Sequence, residues 1–192
     1  MKTKLYLILA LLIAFNVSAQ VSTYDAGLDG KFYSKIISEY RAKKYLMEEV
    51  IGDIENTVEF NSDALAASTA GELTTLYYKC EKKNLEGLLL GFYGDYWNKE
   101  GVVYQGFAFK NLPREEAIEF LSKIEEVLAE NKSFLFGDIG NNTIVFKYDD
   151  MKIMAWSNYQ SFNMRIFWGN FDSEWETTSF NRSKKRFLKK LD

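Results

Sequence analysis

The residues best suited to chemistry lie in segment 91–101, where flat aromatic side chains alternate with polar groups and glycines. Tyr93, Tyr96 and Trp97 offer aromatic faces, and Asp95 offers a carboxylate. Aromatic rings combine an apolar face with a polar edge, so they stack on sugar C–H groups while a nearby carboxylate accepts bonds from sugar hydroxyls. These four residues are therefore a candidate carbohydrate or small apolar ligand site on a long hairpin loop. The alternative is that the aromatic side chains pack back onto the sheet.

Two residue counts exclude most familiar catalytic chemistry. The chain has no histidine, and its one cysteine is Cys80. Ser-His-Asp and Cys-His catalysis and metal sites built on imidazole or four thiolates are therefore excluded. A carboxylate pair of the glycosidase type, a lysine base or an oxygen-bound cation remains possible. No pair among the 27 acidic residues stands out by its spacing, so we predict no catalytic residue, metal ligand or cofactor.

The first residues have the composition of a secretory signal peptide. Lys2 and Lys4 precede an apolar run over residues 5–15, and Val17-Ser18-Ala19 precedes Gln20 as a small-residue cleavage site. The apolar run is shorter than the roughly 20 residues that span a bilayer. We therefore expect cleavage near Ala19/Gln20, a periplasmic or secreted location, and a single globular domain over residues 20–192 without a transmembrane segment.

The net charge of −3, more negative once a leader with two lysines is removed, argues against nucleic-acid binding, which needs a basic field to displace counterions. The expected partner is an envelope protein or a glycan, and the oligomeric state stays open. Cys80 has no cysteine to pair with inside the chain. It is expected to be a small buried hydrophobic residue, with intermolecular pairing as the alternative.

The hydrophobic periodicity predicts an α+β fold. Spacings of three and four predict a long N-terminal helix over residues 29–55, a helix opened by Pro113, and a final helix over 173–191. Alternation or continuous apolar runs predict strands at 73–81, 85–93, 102–110, 143–148, 152–156 and 162–168. Segment 57–71 fits either a strand or a helical turn. The predicted fold is an antiparallel sheet of six or seven strands in two β-β-β-α units, preceded by the long N-terminal helix.

Several predicted strands are apolar on both faces. Leu88, Leu89 and Leu90 follow one another, which requires cover on each side of the sheet. The second face is either packed by the first helix or left as an exposed aromatic surface, and such surfaces mark binding sites. The residues of this candidate interaction face are Tyr77, Tyr104, Trp156 and Phe167.

Residues 182–191 form a basic amphipathic segment with six cations beside Phe187, Leu188 and Leu191. Such a helix can rest on an anionic membrane or an acidic partner. The favoured interpretation is a docked helix whose cations face solvent and complement its C-terminal dipole.

Together these features predict a non-catalytic binding or interaction module of the bacterial envelope or secreted fraction. The first alternative is a carbohydrate or small apolar ligand binder that uses the aromatics at 93–97. The second alternative is a carboxylate-dependent hydrolase.

Overall fold

The computed structural model describes residues 38–97, 103–159 and 161–192, with the backbone alone at 95–97 and 103–105. The chain divides into two compact units, Met1–Tyr40 and Arg41–Asp192. In the first unit the description covers only helical residues 38–40. The predicted leader, residues 1–19, and the start of the predicted first helix therefore lie outside the described residues.

The second unit contains two four-stranded antiparallel sheets within the described residues. Each strand pairs with its neighbour in sequence, so each sheet is a meander. Sheet A consists of β1 (Asn61–Ala67), β2 (Leu73–Cys80), β3 (Leu85–Trp97) and β4 (Val103–Pro113). Sheet B consists of β5 (Thr143–Tyr148), β6 (Met151–Asn158), β7 (Ser161–Trp168) and β8 (Phe171–Glu176).

Helices precede, connect and follow the two sheets. Residues 41–45 are α-helical and continue into a π-helical segment, Leu46–Ile51; the two parts together are α1. The others are α2 (Arg114–Glu130), α3 (Lys132–Gly137) and α4 (Thr177–Leu191), with a 3-10 turn at Glu81–Lys83. Within the described residues, every helix is too short or too polar to cross a membrane.

The mixed α and β composition and the antiparallel pairing agree with the predicted fold class, but its finer description is wrong. The strands number eight in two sheets, and each meander has four strands before its helix, whereas six or seven strands in two β-β-β-α units were predicted. Segment 61–67 is a strand, and the start of the predicted final helix is β8. The predicted N-terminal helix over residues 29–55 is not matched as a whole: its described part is helical over 38–51 and ends at Ile51 before Gly52, and residues 29–37 lie outside the described residues.

The main core lies between the inner faces of both sheets and the helices α2 and α4. The hydrophobic stripe of α2 is buried in it, as the spacing of its apolar residues predicts. Sheet B contributes alternate residues of β6 and β7, whose intervening residues face outward. The largest buried side chains include Phe92, Phe120, Trp175 and Phe187.

A second, smaller core fills the space between α1 and the outer face of sheet A. It contains Ala42 and Leu46 of α1 against Leu76, Tyr78, Leu89 and Phe109 of the sheet. Leu88 and Leu90 face the main core while Leu89 faces α1, so the prediction that both faces of this strand are covered is confirmed. Burial raises the pKa of Tyr78 to about 12, which keeps its hydroxyl neutral.

An ionic junction connects the two sheets on the inner side. The Nζ of Lys110 on β4 lies 2.8 Å from Asp149 and 2.7 Å from Asp150 in the β5–β6 turn. The Nε1–H of Trp168 donates to the same Asp150 at 2.8 Å. Burial alone would raise the pKa of Asp150, but the hydrogen bonds from Lys110 and Trp168 outweigh it and hold that pKa below its usual value. The junction fixes the turn of sheet B against sheet A.

Cys80 is a free, buried thiol at the end of β2. The prediction that it is a buried hydrophobic residue is confirmed.

Candidate functional site

The predicted ligand residues at 93–97 lie on a strand and not on a hairpin loop. β3 continues to Trp97, and its backbone pairs with β4 through Asp95↔Gln105, Tyr96↔Tyr104 and Trp97↔Val103. Gly91 and Gly94 are both paired with residues of β4, although the glycines of this segment suggested a turn. Of the four predicted residues, the structure describes the side chain of Tyr93 alone. The side chains of the other three lie outside the described part of the chain.

Tyr93 belongs to an aromatic cluster between sheet A and α1, which we call the Arg41 cluster: Arg41, Tyr45, Tyr93, Phe107 and Phe109. The Tyr93 and Phe107 rings are nearly parallel, with centroids 6.4 Å apart, and the Phe109 ring meets Tyr93 edge-on at 6.0 Å. The guanidinium carbon of Arg41 stands 4.2 Å from the centre of the Phe107 ring, within cation–π range. Phe107 nevertheless stays 43% exposed, so solvent reaches the cluster at this ring.

Gly91 forms the floor of the Arg41 cluster. A Cβ at this position would lie 3.0 Å from the Tyr93 ring and 3.1 Å from the Phe109 ring, closer than these rings allow. It would also lie 2.6 Å from the hydroxyl of Thr74. The missing side chain therefore lets both rings approach β3 at this position. Burial, reinforced by nearby Glu49, raises the pKa of Tyr45, so this ring also stays neutral at the edge of the cluster.

The structure places Tyr77 of the predicted interaction face apart from Trp156 and Phe167. Tyr77 is 5% exposed and lies in the main core beside Phe187. Its hydroxyl donates to Glu86 at 2.6 Å, and burial together with this bond raises its pKa. Tyr77 therefore does not contribute to an exposed surface. The side chain of Tyr104 lies outside the described residues, whereas Trp156 and Phe167 both point away from the core on sheet B.

Trp156 and Phe167 belong to the outer face of sheet B, which is built as three rows across its four strands. The rows are Thr143–Trp156–Asn163–Glu176, Val145–Met154–Arg165–Glu174 and Lys147–Lys152–Phe167–Asp172. Val145 is 66% exposed, while Met154, Trp156 and Phe167 are partly buried. These apolar groups run diagonally across the face from one end to the other.

The β7–β8 half of this face is bound into a polar network with sheet A. Arg165 donates to Asp172 at 2.8 Å and to Glu72 at 3.2 Å. The same Glu72 carboxylate accepts the Glu174 backbone N–H at 2.9 Å. Glu176 accepts the Thr69 N–H at 2.8 Å and the Ser179 hydroxyl at 2.7 Å. Burial would raise the pKa of Glu176, but the hydrogen bond from Ser179 helps to hold it below its usual value.

The β5–β6 half has a different character, and we call it the open half: Thr143, Val145, Lys147, Lys152, Met154 and Trp156. Lys147 and Lys152 are directly opposite each other on neighbouring strands, an arrangement that is destabilising for like charges. In the described part of the chain neither lysine has an ion-pair partner, in contrast to Arg165. Two facing ammonium groups beside exposed apolar side chains are suited to an external acidic group.

A shallow polar cleft lies beside α2. It is lined by Glu116, Glu119, Lys123, Lys147, Tyr148 and Asp149. A glycosidase needs one carboxyl group with a raised pKa to act as an acid. Hydrogen bonds hold the pKa values of Asp150 and Glu176 below their usual values, although burial would raise them. In the described ranges no three potential metal ligands come together. This geometry gives the hydrolase alternative no specific support.

The chain matches no protein-family model, no curated protein and no solved structure. The choice of candidate site residues therefore depends on the geometry of this structure alone. Sequence reasoning identified Tyr93, Trp156 and Phe167 but missed Arg41 and Phe107 in the first cluster. In the open half it missed Lys147 and Lys152. The signal for this pair was present, because a two-residue turn at Asp149-Asp150 places 147 opposite 152.

Proposed function

We propose that this protein is a non-catalytic binding module that binds an exported or envelope protein through the outer face of sheet B. The partner segment carries apolar side chains for Val145, Met154 and Trp156 and an acidic group for the Lys147–Lys152 pair. The observation that carries the proposal is the open half, where two lysines at paired positions form no ion pair within the described residues and lie beside partly exposed apolar side chains. Interfaces combine such an apolar centre with charges that a partner complements.

The contrast between the two halves of the face supports this choice of surface. The acidic groups of β8 are used within the protein by Arg165, Ser179 and backbone N–H groups, so they orient the sheet. The lysines of the open half perform no comparable role among the described residues. A partner carboxylate between Lys147 and Lys152 would remove their mutual repulsion, which adds a favourable term to binding that the free protein lacks.

The test uses a displayed library of random peptides panned against the full chain. We expect the selected peptides to combine apolar residues with Asp or Glu and to bind less tightly as salt rises. Lys152→Glu should weaken their binding about tenfold, or about 1.4 kcal/mol, as measured by fluorescence anisotropy. Met154→Glu should weaken it at least as much, because it places a charge in the apolar centre.

Lys189→Glu is the matched control, because it makes the same change in net charge at an exposed residue of α4, which is not part of the outer face of sheet B. Peptides that bind Lys152→Glu and Met154→Glu as tightly as the unaltered protein would contradict the proposed surface. If binding instead falls on Phe107→Ala, the result would favour the second candidate below.

Export is part of this proposal and rests on the composition of residues 1–19. The leader has the charged start, apolar centre and small-residue end of a secretory signal. We expect the exported protein to begin at Gln20. Amino-terminal sequencing of protein recovered from the periplasm or medium measures this directly, and recovery of the intact chain from the cytosol alone would refute it.

The second candidate function is binding of a carbohydrate or small apolar ligand at the Arg41 cluster. The observation that favours it is the stacked Tyr93 and Phe107 pair, open to solvent at Phe107, with the Arg41 guanidinium over the Phe107 ring. Aromatic faces with a nearby polar donor suit sugar rings. Asp95, Tyr96 and Trp97 continue the same strand toward its end.

A further inference from the structure

The edge strands of the two sheets differ in how other parts of the protein cover them. The edge strand β1 is covered by α4, whose Arg186 donates to the Leu65 carbonyl. On the edge strand β8, the Glu72 carboxylate accepts the Glu174 N–H. The edge strand β5 pairs with β6 on one side, and across the described residues no group from another element bonds to its backbone on the other side. An edge of this kind is a template for an added strand.

The side chains of β5 have the exposure expected of a strand that gains a neighbour. Val145 is 66% exposed on the outer face. On the inner face, Ile144, Phe146 and Tyr148 pack against the main core but remain only partly buried. A strand added at this edge would complete the burial of the inner-face side chains and shield Val145, and apolar burial is favourable by roughly 25 cal/mol per Å².

The sequence of β5 complements itself when two copies run antiparallel. With Val145 opposite Val145 of the second copy, Ile144 meets Phe146 on the inner face and Thr143 meets Lys147 on the outer face. Cross-strand pairs of an aromatic with a β-branched residue are favourable, and this register places no like charges opposite each other. Each lysine of the second copy faces a hydroxyl, so the pairing adds no charge repulsion of the Lys147–Lys152 kind.

The geometry points to a homodimer in which two β5 strands pair antiparallel about a two-fold axis at Val145. The two copies of sheet B become one eight-stranded sheet, as in strand addition to an exposed edge. In each copy, Val145 ends the row Val145–Met154–Arg165–Glu174 on the outer face of sheet B. The two Val145 side chains therefore meet at the axis and join the open halves of both copies into one apolar surface. This pairing uses the strand edge and does not depend on the partner proposed above.

Cysteine crosslinking tests both the contact and its register. Opposite residues of an antiparallel pair have Cα atoms about 4.5 to 5.5 Å apart, within disulfide range. Val145→Cys alone should therefore crosslink rapidly under mild oxidation. Thr143→Cys alone should crosslink poorly, since its own copy stands about 13 Å away along the strand. A mixture of Thr143→Cys and Lys147→Cys proteins should crosslink to each other. Cys80 is buried, so we expect it to form few crosslinks of its own.

Sedimentation equilibrium of the full chain, without any partner, measures the same contact in the unaltered protein. We expect a concentration-dependent dimer that Val145→Lys converts to monomer, because two ammonium groups would meet at the axis. Val145→Thr, which keeps the branched shape, should dimerise. Thermal unfolding of Val145→Lys serves as the check on folding. A monomeric unaltered protein, a dimer that survives Val145→Lys, or crosslinking without the stated register each overturns the inference.

Discussion

Phe120→Ala is expected to destabilise the protein by about 3–5 kcal/mol, the range for removal of a buried aromatic ring. Phe120 is fully buried on α2. Its ring lies 5.2 Å from that of Tyr148 on β5 and is stacked on that of Trp175 on β8 at 6.2 Å. These two strands are the opposite edges of sheet B, so one ring packs against residues from both edges. A cavity there removes contacts to both edge strands.

The measurement is the free energy of unfolding in urea, compared with Phe134→Ala. Phe134 lies on α3 and is 52% exposed, so the same chemical change at that position should alter stability by no more than about 0.5 kcal/mol. Equal midpoints for the two variants would show that Phe120 is not packed as described. An unchanged denaturant slope would show that both variants unfold as the unaltered protein does.

Gly87→Ala is expected to destabilise the protein by about 1–3 kcal/mol because it overfills a strand. Gly87 lies on β3 directly opposite Tyr78 of β2. A Cβ at this position would lie 2.4 Å from the carbonyl oxygen of Leu112 and 2.7 Å from the hydroxyl oxygen of Tyr78. The Leu112 oxygen belongs to the backbone of β4, so the strand itself must move away. The pairing of β3 with β4 is therefore weakened next to α2.

Gly137→Ala is the matched control for this substitution. At Gly137 the nearest atom to an added Cβ is the Asn142 amide nitrogen at 3.5 Å, an ordinary contact. Alanine there should leave stability unchanged or raise it by about 0.4–1 kcal/mol, because it restricts the unfolded chain. Thermal unfolding of both variants measures the difference, and equal melting temperatures would contradict the close approach of β3 and β4.

The sequence predicted the secondary structure best in segments where a single hydrophobic periodicity dominates. The strand at 143–148 was predicted with its observed bounds, and the strand predicted at 162–168 is observed over Ser161–Trp168, with Met164 and Ile166 buried. β8 was missed because its charged and aromatic residues also fit a helix. The discriminating signal was Gly169-Asn170, a two-residue hairpin turn that sets Trp168 opposite Phe171. Once that turn is recognised, Phe171, Ser173 and Trp175 fall on one face.

The candidate site was predictable only in part, because a strand that is covered on both sides carries no single alternation. Tyr77 and Tyr78 are neighbours, and both are aromatic, so the sequence does not show which faces the main core. Pairing decides it: Tyr77 lies opposite Leu88 and shares its inner face. Arg41 reaches Phe107 from a helix far away in sequence, and no local pattern contains that contact.

The meander order of both sheets has a consequence for how the chain folds. Every strand pairs with the strand next to it in sequence, so each hairpin closes a short loop at little entropic cost. The bonds of Glu72 to Arg165 and to the Glu174 N–H instead span 93 and 102 residues. During synthesis sheet A can form as soon as β4 emerges, well before those partners exist. Glu72 is therefore in place at the end of sheet A before its partners are synthesised, and its bonds join the two sheets only after sheet B has been made.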